Sequence, residues 1–161
     1  MNTSTLFSQS ARQQIAQYLS QLVADTYLLY IKTQNFHWNV IDPRFHSLHE
    51  MFDDQYKQLA EAIDEIAERI RALESKAPGS MRQFLELTSL NESDANLTAD
   101  KMIEELLSDH EQIAQSIRPH IEETSTLGDE GTADMLIQRL KYHERTAWML
   151  RSHLHQHKSK S

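Results

Sequence analysis

The sequence predicts an all-α protein, and three observations carry that prediction. Only 3 Gly and 3 Pro occur in 161 residues, which leaves few positions for tight turns. Leu, Ile, Ala, Glu and Gln, which enter helices at little cost, are abundant. Apolar residues also recur every three or four positions through four long stretches. The length fits one domain over residues 1–161 with a core large enough to need no disulfide. Residues 1–10 and 155–161 are expected to be flexible tails.

From Ser10 to about Asn39, the residues Ile15, Leu19, Leu22, Thr26 and Tyr30 draw the stripe of a first amphipathic helix. Asp42-Pro43 interrupts it, because proline lacks an amide donor and disfavours helix at the preceding residue. A second helix follows from about Arg44 to Leu73, with Phe45, Leu48, Phe52, Leu59, Ile63, Ile66, Ile70 and Leu73 along one side. Ala77-Pro78-Gly79 is expected to stop it. Ser80 followed by Gln83 resembles a capping box opening a short helix to about Thr88. Thr98 is the expected N-cap of a third long helix carrying Met102, Leu106, Ile113 and Ile117, with a bend at Pro119 and an end at Gly128. The fourth runs from about Thr132 to His153 on Leu136, Leu140, Ala147, Leu150 and Leu154. Two long hairpins joined by a crossover with its own short helix make a ferritin-like four-helix bundle the natural architecture.

Composition excludes several function classes. No cysteine is present, so there is no disulfide framework, thiolate zinc site or cysteine nucleophile, and any metal site must use His, Asp and Glu. This fits a cytoplasmic protein. No run approaches the roughly 20 apolar residues of a membrane span, and no signal-peptide pattern opens the chain. A formal charge of −8 favours cations and opposes unspecific binding to phosphate backbones.

The chemistry is concentrated on the second helix. His49 and Asp53 are four residues apart, as are Asp64 and Glu68, so each pair shares a face. Eleven residues separate Asp53 from Asp64, which at 100° per residue returns within about 20° of the same direction. The same eleven residues rise by roughly 16 Å, whereas paired catalytic metals lie about 4 Å apart. One helix cannot close such a site. Two copies packed antiparallel about a two-fold axis near residues 58 and 59 would bring His49 and Asp53 of one to Asp64 and Glu68 of the other. His37, at the end of the first helix, can fold back to complete a cluster of two imidazoles and three carboxylates. That set suits Fe(II), with Zn(II) and Cu(II) as competitors. Each carboxylate pair alone would read as an ordinary solvated helix face; the five-residue pattern points to a metal site.

The segments Asn35-Phe36-His37-Trp38-Asn39-Val40, then Phe45, His49, Asp53, and Asp64-Glu65-Ile66-Ala67-Glu68-Arg69-Ile70 resemble the Dps family of miniferritins, the DNA-binding proteins from starved cells. The resemblance runs from about Gln14 to Leu154. It implies that His37, His49, Asp53, Asp64 and Glu68 form a two-iron ferroxidase centre between subunits of a dodecameric hollow shell. It implies oxidation of Fe(II), preferentially by hydrogen peroxide, storage of the ferric mineral, and protection from oxidative damage. The Glu-x-x-His motif of larger ferritins occurs nowhere in the chain.

Other residues carry two readings each. Trp38 either captures stray oxidising equivalents or packs at the dimer interface. Glu50 and Asp54 either nucleate mineral or belong to a solvated face. Asp129, Glu130 and Asp134 resemble the lining of the family's three-fold pores, and an acidic helix N-terminus is the alternative. His110, His120 and His143 read as isolated structural or surface residues. The alternative function is DNA binding at the nucleoid. It would rest on a tail with His153, His155, His157, Lys158 and Lys160 acting against an acidic body, and on an N-terminal arm holding only Arg12.

Overall fold

The computed structural model describes residues 7–94 and 96–154. Among these the elements run α1 (Gln9–Asn39), α2 (Phe45–Ala72), α3 (Met81–Leu87), α4 (Ala99–Thr126) and α5 (Glu130–Ser152), with no strand. The fold is the all-α bundle expected from the sequence. Helices α1 and α2 form one hairpin and α4 and α5 the other, while α3 packs on α1 in the crossover. No helix among the described residues is long and apolar enough to cross a membrane.

The helix starts follow from side-chain caps that satisfy otherwise orphaned amides. The oxygens of Ser8, Ser80, Thr98 and Asp129 accept from the amides of Ala11, Gln83, Lys101 and Thr132 at 3.1, 3.2, 3.2 and 3.0 Å. Ser8 therefore places residues 9 and 10 in the first turn of α1 rather than in a terminal arm. Residues 1–6 and the tail from His155 to Ser161, with Lys158 and Lys160, lie outside the described residues. Asp129 likewise starts α5 at Glu130, two residues before Thr132.

Two helices end in left-handed turns. Gly128 has φ 94°, which brings the Asp129 amide back to the Thr124 carbonyl at 2.9 Å. Glu74 does the same without a glycine, at φ 64°, with the Ser75 amide on the Ile70 carbonyl at 3.2 Å. That turn ends α2 at Ala72, ahead of Ala77-Pro78-Gly79.

The core lies where the stripes meet. Leu19, Leu22, Leu29 and Phe36 of α1 pack with Leu48, Phe52, Leu59, Ile66 and Ile70 of α2, and Met102, Ile103, Leu106, Ile113 and Ile117 of α4 join them. Leu136 and Leu150 supply α5. Polar seams stitch the layers together. Buried Lys32 of α1 pairs with Asp109 of α4 at 2.7 Å and donates to the Asn91 carbonyl at 2.9 Å. Buried Asp25 accepts from Thr88 and from the Ser89 amide, at 2.8 and 2.7 Å, anchoring the end of α3. Arg69 near the end of α2 meets buried Asp129 at 2.6 Å. Gly131 makes room for it, since a Cβ there would stand 2.8 Å from the guanidinium.

His110 and His143 are not isolated. Their Nδ1 atoms lie 2.9 Å apart in the fully buried space between α4 and α5, so one ring donates and the other accepts, which requires the accepting ring to be neutral. Burial, with the Arg139 charge nearby, pushes the His110 pKa down to about 3 and holds His143 well below its ordinary value. An unfolded histidine titrates near 6.5. The unfolded chain therefore takes up a proton that the folded one refuses, and stability present at neutral pH is lost as pH falls below about 6.5. The loss approaches roughly 1.4 kcal/mol per pH unit per histidine. Denaturant titrations at pH 7 and pH 5 check this, and His110→Phe is expected to flatten the pH slope by about one histidine's share. Arg69→Ala leaves the Asp129 carboxylate buried without its counter-ion. Removing a partner from a buried pair is expensive, but this guanidinium is 31% exposed, so a loss of about 2 kcal/mol is expected in the same titration.

Candidate metal centre

The turn between α1 and α2 builds the site. Val40 leaves the helix in an extended conformation with its amide still bonded to the Phe36 carbonyl. Asp42 then accepts from the Arg44 backbone amide and side chain, both at 2.8 Å. These contacts hold the Asp42 carboxyl below the usual carboxylate range. Arg44 also reaches Asp100 at the start of α4 at 2.8 Å, tying the turn to the second hairpin.

This turn sets His37 against His49. The rings stack with centroids 3.8 Å apart at 12°, and Phe45 stacks on the far face of His49 at 4.9 Å. The Nδ1 of His37 donates to the His49 carbonyl at 2.7 Å, and the Nδ1 of His49 donates to the His37 carbonyl at 2.7 Å. A carbonyl can only accept, so each Nδ1 must carry the proton. In the neutral rings each Nε2 is then the lone-pair nitrogen, which is the state a metal ligand requires.

The Nε2 of His37 lies 3.8 Å from Asp53 Oδ1. Asp53 is one turn beyond His49 on α2, and its carboxylate also takes the Lys57 ammonium at 2.7 Å and a hydrogen bond from the Tyr56 hydroxyl. The Lys57 contact is the main reason that the Asp53 pKa is lowered. The residue types present here, two imidazoles whose Nε2 atoms lie outside the reciprocal hydrogen bonds and one carboxylate near the His37 Nε2, are of the kind that suits a divalent first-row cation.

The fold sets His37 against His49 and, separately, the His37 Nε2 near Asp53, so His37 is the residue that links the three. It does not bring Asp64 and Glu68 to them: α2 runs unbroken through all four of its candidate ligands, so the helical rise holds Asp64 about 16 Å from Asp53 along the axis. Both Asp64 and Glu68 are exposed. Among the described residues no group of three or more His, Asp or Glu that could hold a metal forms within the chain.

The remaining candidates are placed separately. Trp38 is 65% exposed. Glu50 pairs with His46 at 3.3 Å, and with Asp54 and Arg145 it lines a groove of about 440 Å³ between α2 and α5. Asp129 is buried, since the N-cap of α5 and the Arg69 ion pair absorb its carboxylate. Glu130 and Asp134 are exposed. Sequence reading passed over Tyr56 and Lys57. Their signal was positional, three and four residues after Asp53 on one helix face.

A sequence model of the ferritin-like domain matches residues 16–159, and the DNA protection during starvation protein 2 of Bacillus anthracis is 38% identical over 144 residues, covering 89% of this chain and 99% of that protein. The chain belongs to the Dps family. A low temperature-induced protein of Nostoc sp. is 43% identical over 143 residues, 88% of this chain and 80% of its own. The solved Dps protein of Vibrio cholerae, described as a member of a broad superfamily of ferritin-like diiron-carboxylate proteins, superposes with a TM-score of 0.89 at 27% identity, covering 92% of this chain and 93% of that one. This Dps chain thus has the ferritin-like fold by both sequence and structure.

Lys57 competes with any cation for Asp53. The pair is exposed and so weak, and Lys57→Ala is expected to tighten Co(II) or Fe(II) binding by only about twofold, measured by anaerobic titration.

Proposed function

We propose that this Dps chain oxidises Fe(II) at centres shared between subunits and stores the ferric product inside a shell of twelve. The observation that carries the reading is the stacked pair of His37 and His49, their tautomers set by reciprocal hydrogen bonds, with the His37 Nε2 3.8 Å from the Asp53 carboxylate. In this reading Asp64 and Glu68 of a two-fold-related subunit supply the carboxylates that the helical rise keeps away within one chain. Their exposure supports it.

The chemistry follows from electron counting. Hydrogen peroxide needs two electrons and two protons to become two waters. Two Fe(II) bound together supply the electrons without releasing a hydroxyl radical, and become two Fe(III). The residues of this chain hold the substrate ions: His37 and His49 offer neutral donors, while Asp53, Asp64 and Glu68 offset the charge that grows on oxidation. Glu50 and Asp54 are assigned to the mineral-facing surface. Cation entry is assigned to Glu130 and Asp134, with Asp129 serving to position their helix.

A cytoplasmic location and peroxide as the main oxidant belong to the same reading. Starvation-protection names support it. DNA binding is the weaker alternative, since 24 acidic residues outnumber 16 Lys and Arg.

The test is anaerobic Fe(II) loading followed by peroxide, with the wild type compared to His49→Ala and Asp64→Ala. Each variant should lose most of the fast oxidation. Hybrid shells made by mixing the two variants should recover part of it, because some interfaces then hold one complete ligand set. Equal, unimpaired oxidation in both variants would sink the assignment of these ligands, and failure of verified hybrids to recover would sink the shared geometry.

A further inference from the structure

The aromatic residues behind the metal site form an unbroken string across the α1–α2 hairpin. Tyr56 sets its edge against the His37 ring at 5.2 Å and 63°, and its hydroxyl is hydrogen-bonded to Asp53. Tyr30 of α1 meets Tyr56 at 5.7 Å and 78°. Tyr27, one turn earlier on α1, meets Tyr30 at 5.8 Å and 70°. The string ends where Tyr27 stacks on Phe84 of α3 at 4.5 Å. Packing alone explains rings in contact. It does not explain three phenols in series, beginning at the carboxylate of the metal site and ending on a ring that is far harder to oxidise.

We infer that Tyr56, Tyr30 and Tyr27 form a one-electron relay that completes the reduction of peroxide when a centre holds a single Fe(II). The inference rests on the ferroxidase reading above. One Fe(II) can give peroxide only one of the two electrons it needs. Tyr56 supplies the second: Fe(II), the Tyr56 phenol and H2O2 give Fe(III), a neutral Tyr56 radical, one hydroxide and one water, as the O–O bond breaks and the phenolic proton passes into the water. The Tyr56 radical then takes an electron and a proton from Tyr30, and the Tyr30 radical takes both from Tyr27, so each ring that held the radical returns to a neutral phenol. A later Fe(II), with a proton from water, returns the tyrosine to its resting state and becomes Fe(III).

Electron transfer weakens steeply with distance, so rings in edge contact are the route of least resistance. Trp38, the residue singled out by sequence, has most of its side chain in solvent and is not part of the string. The relay instead carries the oxidising equivalent along half-buried rings of the hairpin toward α3.

The test uses the assembled full-length protein loaded with less than one Fe(II) per centre, then mixed with hydrogen peroxide and frozen for electron paramagnetic resonance. Ring-deuterated tyrosine assigns the signal. The wild type should give a tyrosyl radical. Tyr56→Phe should reduce that signal to background and raise the yield of spin-trapped hydroxyl radical. Tyr30→Phe should confine the radical to Tyr56, with a single ring geometry in its hyperfine pattern, and Trp38→Phe should leave the tyrosyl signal in place. An unchanged signal in Tyr56→Phe overturns the relay, as does a wild type that shows no tyrosyl radical while still consuming two Fe(II) per peroxide at full loading. If the wild type oxidises no Fe(II) at full loading, the ferroxidase reading falls and takes the relay with it.

Discussion

His37 and His49 exchange two N–H···O=C hydrogen bonds of 2.7 Å across the α1–α2 turn, and much of the site depends on that exchange. It joins the last turn of one helix to the first turns of the next, so the hairpin angle and the side-chain positions are set together. It also assigns the tautomer of both rings, leaving each Nε2 as a base. The stacked geometry then orders its neighbours: Phe45 covers one face of His49 and Tyr56 abuts His37. A ligand held in this way reaches a cation without first reorganising, which is the advantage of a preorganised site.

A second constraint comes from the straightness of α2. A helix of constant rise carries Asp53 and Asp64 on nearly the same azimuth, about three turns apart. Side-chain flexibility does not span that interval. The chain therefore presents a histidine-rich half and a carboxylate half on one face, and a two-fold axis between them is the simplest operation that unites the halves. The acidic excess of the chain adds a field that favours cations at every such face.

The interior shows how an α-helical bundle can carry buried charge. Lys32 with Asp109, and Arg69 with Asp129, occupy positions where the two hairpins or their ends meet. Lys32 also donates to the Asn91 carbonyl, and Arg69 and Asp129 both hydrogen-bond to Thr132. Breaking such a pair is costly because it leaves a charge in a poor solvent. The neutral His110–His143 contact works by the opposite route, since burial excludes the proton that would otherwise charge it.

Helix number, two of the four N-caps and most of the core stripe were legible in the sequence, because a 3.6-residue period and cap chemistry are local properties. Ser80, Thr98 and Gly128 act where their residue types indicate. The devices that sequence did not give, at Glu74 and Asp129, are a left-handed non-glycine turn and an N-cap shared with an ion pair, and no short window reveals either. By itself the sequence determined the spacing of the candidate ligands His37, His49, Asp53, Asp64 and Glu68 and the impossibility of gathering those of α2 at one point, since both follow from residue spacing and helical rise. Only the tertiary structure decided the tautomers of His37 and His49, the burial of Asp129, the His110–His143 pair and the tyrosine string. Each of these depends on contacts between residues that are remote in the chain or turned toward one another by the hairpin, and sequence periodicity carries no information about such contacts.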